Sequence, residues 1–183
     1  MSRSTDFDLQ PVLTGHLVQL RPLRETDFQE LYRAASDPLI WAQHPEPDRC
    51  KPEVFQRFFG EAIRSNGGFA VLQRETGKII GSSRYYDHDA GERQVMIGFT
   101  FVEREFWGKG HNTEMKALML DHAFRFVDRV LFQVGAQNLR SQKALQKIGA
   151  QILSRVELPS SDGSSRPHVV FVLTRELHRT AQR

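Results

Sequence analysis

Cysteine is almost absent: Cys50 stands alone among 183 residues, which excludes an intrachain disulfide and fits a reducing compartment. The seven histidines include no HxH or HxxxH spacing and there is no cysteine pair, so no metal is expected. Long apolar runs are also missing; the longest are strand-sized, and nothing reads as a bilayer span. Met1 to Asp8 has an early arginine, Arg3, but no apolar stretch behind it, so no secretory signal is read and a cytoplasmic location is expected. A large charge of one sign is lacking as well: 25 Lys and Arg face 22 Asp and Glu, a net of +3. The basic residues are scattered apart from Arg175, Arg179 and Arg183 beside His178, so no nucleic-acid or membrane partner is expected. No repeat and no low-complexity tract interrupts the chain. The length suits one domain over 1–183, with 1–14 and 178–183 expected as flexible ends.

What is present is alternation between strand-like and helix-like segments, in the order β-α-α-β-β-β-α-β-α-β-β. Leu17 to Leu23 reads as the first strand, and Thr26-Asp27-Phe28-Gln29 as a capping box opening a helix that Pro38 closes. Trp41 to Cys50 is a proline-punctuated loop carrying Trp41 and His44. Pro52 starts a second helix whose Phe55, Phe58, Phe59 and Ala62 form a core face. Phe69–Gln73 and Lys78–Tyr86 read as a hairpin. Gln94–Glu103 follows, with Val95, Ile97, Phe99 and Phe101 alternating against Met96, Gly98, Thr100 and Val102, so both faces are apolar and the strand is central. A helix over Asn112–Val127 puts Met115, Leu118, Met119 and His122 on one stripe, and Glu114, Lys116, Asp121 and Arg125 off it. Val130–Val134 is a short buried strand, Asn138 caps a helix ending at Gly149, and Ile152–Leu158 with His168–Leu173 make a hairpin with a mobile tip.

Between the central strand and the helix lies Phe106-Trp107-Gly108-Lys109-Gly110-His111-Asn112-Thr113-Glu114. Glycines there let backbone N–H groups approach a ligand, and the helix N-terminus behind them carries unpaired donors and the positive dipole end. That arrangement suits an anion, although glycines at a strand-to-helix turn also occur for geometry alone. Gly108-Lys109-Gly110 is not a P-loop, since no GxxxxGK[ST] is present.

Leu20-Arg21-Pro22-Leu23 with Thr26-Asp27, then Ile97-Gly98-Phe99 with Trp107-Gly108-Lys109-Gly110 and Glu114-Met115, then Asn138-Leu139-Arg140-Ser141 with Lys147-Ile148-Gly149-Ala150 occur in that order over nearly the whole chain. In this the chain resembles the GCN5-related N-acetyltransferases (GNAT), of the RimJ/RimL-like branch of ribosomal-protein N-terminal acetyltransferases. The resemblance implies an α+β (α/β) GNAT fold with a mixed, mostly antiparallel twisted sheet of about seven strands and about four flanking helices. It implies acetyl-CoA as co-substrate and direct transfer of its acetyl group, in a ternary complex, to a primary amine of a protein N-terminus or a small molecule. Carried over by position, Phe99, Thr100 and Phe101 hold the pantetheine arm, Trp107, Gly108, Lys109, Gly110, His111, Asn112 and Thr113 the pyrophosphate, and Asn138 and Ser141 touch the CoA arm. Lys143 and Lys147 are further candidates for the phosphates.

Acetyl transfer needs a neutral amine, a polarised carbonyl and a proton for the departing thiolate. Relatives often use a tyrosine for the last task, but Leu145 occupies that position; Ser141 is the remaining candidate, its alternative being a residue that only decorates the first helical turn. A glutamate often precedes the Ile-Gly of the central strand, and here Met96 stands instead. For the base this leaves His44, Glu46, Asp87, His88 and Glu103, of which His88 has a suitable ordinary pKa. Trp41, His44, Tyr85 and Tyr86 are expected to line the acceptor pocket. Glu105 and His111 flank the glycine turn irregularly, with Arg104 available to offset the acid. A catalytically silent CoA-binding module is the alternative, motivated by Met96 and Leu145, and the oligomeric state is read as monomer or homodimer.

Overall fold

The computed structural model describes residues 6–160 and 163–181; residues 1–5 and 182–183 of the expected flexible ends, and 161–162 of the expected mobile tip, lie outside the described residues. The described strands are β1 (Leu13–Thr14), β2 (Val18–Pro22), β3 (Gly68–Gln73), β4 (Ile79–Asp89), β5 (Gln94–Val102), β6 (Arg129–Gly135), β7 (Gln151–Pro159) and β8 (Ser165–Thr174). Helices are α1 (Phe28–Ala35), α2 (Pro38–Trp41), α3 (Pro52–Arg64), α4 (His111–Ala123), α5 (Leu139–Lys147) and α6 (Arg175–Ala181). All eight strands form one sheet in the order β1-β2-β3-β4-β5-β6-β8-β7. Every pairing is antiparallel except β5 with β6.

The additions to the expected order have local causes. Pro38 opens α2 instead of only closing α1: its fixed φ suits a first helical position, and the Asp37 carboxylate caps by accepting from Leu39 N at 2.9 Å. The cap before α1 also moves, because Asp27 rather than Gln29 reaches back, accepting from Arg24 N at 2.8 Å while ion-paired to Arg21 at 2.7 Å. Near the N-terminus, Phe7 is anchored by rings, lying 5.1 Å from Tyr85 and 5.3 Å from Phe126. At the other end, α6 lies partly against the core through Leu177, and its His178 bonds Asp121 at 2.8 Å.

Two apolar layers sandwich the sheet. On one face Met115, Met119, Leu120 and Ala123 of α4 pack on Val71, Ile80, Val95 and Ile97; on the other Leu31, Phe55, Phe58 and Phe59 of α1 and α3 pack on Ala70, Ile79 and Phe101. Strand alternation assigns these faces. In β5 the alternation is interrupted: Val95 and Ile97 join the α4 layer, but Phe99 and Phe101 join the α3 layer. The expected single face for these four residues is therefore corrected. Two residues, Phe99 and Thr100, stand opposite Ser83 alone in a β-bulge, and Phe99 adopts φ 53°. One extra residue transfers everything after it to the other face.

The second departure sets up the site. β5 and β6 pair only through Gln94, Val95 and Met96 with Arg129, Val130 and Leu131. Beyond these pairs the two strands part, leaving the β6-facing backbone edge of β5 without a ladder partner. A fork opens in the middle of the sheet.

Candidate functional site

A cavity of about 1280 Å³ occupies this fork, above the usual range of about 300–1,000 Å³ for small-molecule sites. It runs from the N-terminus of α4 past the β5 bulge to the loop between α2 and α3. Its length suits an extended ligand.

At the first end, Gly108 and Gly110 hold φ 72° and 88°, left-handed values that favour glycine, and a Cβ added at Gly108 would meet nothing within 4 Å. Gly110 is the residue before α4 and makes no side-chain cap; the first intrahelical bond is Glu114 N to Gly110 O at 2.9 Å. The N–H groups of residues 111–113 precede that bond and carry the positive end of the helix dipole. Glu114 holds this turn in place: its carboxylate accepts from the backbone N–H groups of His16, Leu17 and Val18 at 2.8, 2.7 and 2.8 Å. Burial works against its charge, yet these three donors keep its pKa below the usual glutamate value.

Trp107, Gly108, Gly110, Asn112 and Thr113 border the cavity, whereas Lys109 and His111 do not. Lys109 is exposed at the turn, and His111 is 7% exposed with its ring against Phe106 at 4.8 Å, so neither side chain faces the ligand space. Glu105 bonds Lys78 at 3.1 Å outside the cavity, and Arg104, expected to offset it, is instead paired with Asp37.

Asn138 and Ser141 also border the cavity. Asn138 is the N-cap of α5, its Oδ1 accepting from Ser141 N at 3.2 Å, while the half-buried Ser141 hydroxyl has no hydrogen-bond partner among the described residues. Lys143 and Lys147 line the same end, and Arg140 stacks on Trp107 at 4.0 Å. In the middle, Phe99, Thr100 and Phe101 bring the bulge to the cavity wall.

At the far end Trp41, His44 and Tyr86 line the cavity as expected. Trp41 Nε1 donates to Ala35 O at 2.8 Å, which fixes its ring. His44 accepts from Glu46 N at 2.9 Å through Nδ1, and burial together with the Arg49 guanidinium pushes its pKa down to about 3, so the imidazole is neutral at physiological pH. Tyr86 is pushed well above its ordinary value, chiefly by burial, and stays a neutral phenol. Tyr85 and His88 are corrections: Tyr85 is fully buried in the α4 layer and donates to Met119 O, and His88 packs on Phe7 with ring centres 5.0 Å apart, neither bordering the cavity. Strand β4 sends residues 85 and 86 to opposite faces. Glu103 is likewise outside the cavity, held by Arg33 and by Lys78 at 2.9 Å.

Sequence reasoning missed Lys116. Its place off the apolar stripe of the helix suggests no site, but it is 8% exposed and borders the cavity, its Nζ donating to Thr100 Oγ1 at 2.8 Å and lying 5.5 Å from the Phe132 ring centre. Burial alone pushes its pKa down to about 7. The signal was available in its spacing: Lys116 follows Asn112 and Thr113 by four and three residues, which puts it on their side of the helix.

Comparison with known proteins agrees with this geometry. Residues 18–151 match the acetyltransferase (GNAT) domain family. No curated protein matches the chain in sequence. Among solved structures, a GCN5-related N-acetyltransferase from Brucella melitensis superposes with a TM-score of 0.83 at 19% identity, over 94% of this chain and 84% of that one. Mycobacterium smegmatis RimJ in complex with CoA-disulfide gives 0.71 at 21% identity, over 93% and 90%. A ribosomal-protein-S5-alanine acetyltransferase from Vibrio fischeri gives 0.69 at 16% identity, over 91% and 98%.

Proposed function

The chain belongs to the acetyltransferase (GNAT) domain family and is an acetyl-CoA-dependent N-acetyltransferase; from that premise we propose that it acetylates a primary amine, of a protein N-terminus or a small molecule, by direct transfer in the fork between β5 and β6. The observation that carries this reading is the continuity of the cavity, which joins a helix N-terminus, an unpaired strand edge and an aromatic-walled pocket. Each part fits one part of acetyl-CoA or its acceptor. The glycine turn and the N–H groups of residues 111–113 suit the pyrophosphate, with Lys143 and Lys147 placed for the remaining phosphate charge. The free edge of β5 beyond Met96 offers peptide groups to the amides of a pantetheine arm. Acetyl-CoA supplies an acetyl group activated as a thioester.

The chain's own tasks are then to hold the two reactants together and to manage protons. Trp41, His44 and Tyr86 shape the acceptor end, and His44, neutral there, can accept or donate a hydrogen bond without repelling an ammonium group. Ser141 has an uncommitted hydroxyl on the cavity wall and is the proposed donor of a hydrogen bond to the leaving sulfur. The RimJ/RimL-like motifs favour protein N-termini within the amine class. Neither His88 nor Tyr85 borders the cavity, so neither is assigned a role in transfer.

Calorimetric titration with acetyl-CoA, followed by a thiol-release assay over N-terminal peptides, polyamines and aminoglycosides, tests the reading. Binding with amine-dependent thiol release is expected. Binding without release on any amine would favour a silent CoA-binding module, the reading to which Met96 and Leu145, 7% and 5% exposed and both apolar, lend support.

A further inference from the structure

A buried lysine without an acid is costly, because desolvation disfavours the ammonium and nothing compensates. Lys116 is such a residue. The groups that meet it are the Thr100 hydroxyl from β5, itself 2.8 Å from Ser83 Oγ of β4, and the Phe132 ring from β6. No charged side chain among the described residues contributes to its ionisation, which burial alone perturbs. Among the described residues, every other lysine or arginine for which burial is the leading perturbation lies elsewhere on the cavity wall or beside it: Arg49 reaches Glu46 at 3.2 Å, Arg84 stacks on Phe99 at 4.1 Å and Arg140 on Trp107. Lys116 alone among them stands at the point where β5 and β6 part, with one hydroxyl for its three N–H donors.

A methionine of similar length would fill the same space without the desolvation penalty. The ammonium therefore makes sense as a group whose partner arrives with the ligand. In the reading given above, the ligand that enters the fork brings one atom that becomes anionic there, the sulfur of CoA. We propose that Lys116, held in place by Thr100, is the proton donor to the thiolate released when the acetyl group moves to the acceptor amine. The nitrogen lone pair forms the new bond to the acetyl carbon, the carbon–sulfur bond breaks with its pair going to sulfur, and sulfur takes a proton from Lys116 Nζ. The proton shed by the new amide nitrogen passes to solvent, and Nζ is reprotonated from solvent. This rests on the acetyltransferase reading and supplies the acid that Leu145 cannot.

The test compares the wild type with Lys116→Met and Thr100→Val. CoA binding is followed by calorimetry, ionisation of the bound thiol by the ultraviolet absorbance of the thiolate, stability by thermal melting, and turnover by thiol release with the best amine. A lysine acting on sulfur lowers the pKa of the bound thiol by at least about one unit, tenfold in its ionisation constant, relative to Lys116→Met. Turnover falls on the order of a hundredfold in Lys116→Met, with CoA affinity little changed and the melting temperature raised. Thr100→Val, which frees Nζ without removing it, lies between the two in thiol ionisation. Identical thiol titrations in wild type and Lys116→Met, in a protein that binds CoA and turns over amines, would overturn the role of Lys116 and leave the acetyltransferase reading intact. A Lys116→Met variant that melts lower and loses affinity would assign the lysine a structural role instead. Failure of the wild type to bind CoA at all would overturn both.

Discussion

Gly110→Ala separates an anion cradle from a turn that is glycine-rich for geometry alone. Gly110 sits at φ 88°, and a Cβ there would lie 3.2 Å from Leu17 Cδ1, a contact in which the leucine must yield by a few tenths of an ångström. A left-handed conformation costs an alanine about 1–2 kcal/mol relative to glycine. The chain can bear this strain or relax by rotating φ back, and relaxation turns the N–H groups of residues 111–113 away from the cavity. With relaxation the loss appears in the liganded state, since only there must the donors converge. Affinity for CoA is expected to fall about fivefold to thirtyfold, by conversion of that free energy at about 1.4 kcal/mol per decade. Gly77→Ala is the control: Gly77 has φ 72° in the β3–β4 turn, with nothing within 4 Å of an added Cβ, and lies away from the cavity. It should lose comparable stability in thermal melting and keep its CoA affinity. Calorimetric titrations of both variants decide the matter. Equal affinity in Gly110→Ala and wild type would show that the phosphates are held elsewhere and that the left-handed turn serves only the chain's path.

Ser141→Ala should lower turnover with little change in CoA affinity, because its backbone N–H, which bonds Asn138, survives the change; an unaltered rate in steady-state thiol release would remove Ser141 from the mechanism. Glu114→Gln removes the charge that three backbone donors share and leaves one oxygen to accept them, costing about 1–3 kcal/mol in urea unfolding and weakening CoA binding through the loosened turn. Because its pKa is depressed in the folded state, the glutamate's contribution is present above the usual carboxylate range and fades as pH falls through the folded value. For Lys116 the slope has the same sign in a higher pH window: its folded pKa of about 7 lies below the ordinary lysine value of 10.5, so the unfolded chain binds more protons between those limits. Wild-type stability should therefore rise relative to Lys116→Met from pH 7 towards 10, by up to about 1.4 kcal/mol per pH unit, and parallel stability curves for the two proteins would contradict the depressed pKa.

What could be read from the sequence was whatever a short window determines. The two-faced apolar pattern of β5 marks a central strand, Asn138 caps α5 as its side chain suggests, and Gly108 and Gly110 are left-handed where a Cβ would be unwelcome. The 85/86 pair shows the limit of such windows, since a single register step sends Tyr86 to the cavity and Tyr85 into the α4 layer. The bulge at Phe99 was hidden for the same reason. Alternation counts residues, and nothing in the residue types announces that one is extra. The parting of β5 from β6 is less local still. It depends on where a parallel pairing stops, and that is decided by partners some thirty-five residues apart in sequence, as in Gln94 with Arg129.

The residues that break the local rules collect at that fork. Phe99 holds a left-handed φ that a bulky side chain disfavours, Lys116 is buried without an acid, and β5 leaves backbone groups unpaired in mid-sheet. Taken singly, each has a bland explanation: a bulge adjusts twist, a lysine can be trapped by its helix, and strands in a mixed sheet do diverge. Their coincidence around one cavity is harder to explain by chance packing, because the bulge turns Thr100 towards α4, where its hydroxyl meets Lys116, and the divergence gives that pair access to ligand. The extra residue and the hydroxyl that meets the lysine can therefore be tested apart. Deleting Phe99 would restore simple alternation and leave Thr100 opposite Ser83 on the α4 side, whereas Thr100→Val takes away the one hydrogen bond of Nζ among the described residues. Loss of Phe99 should relieve the left-handed strain and keep the Thr100 contact, while Thr100→Val should lose the contact and keep the strain.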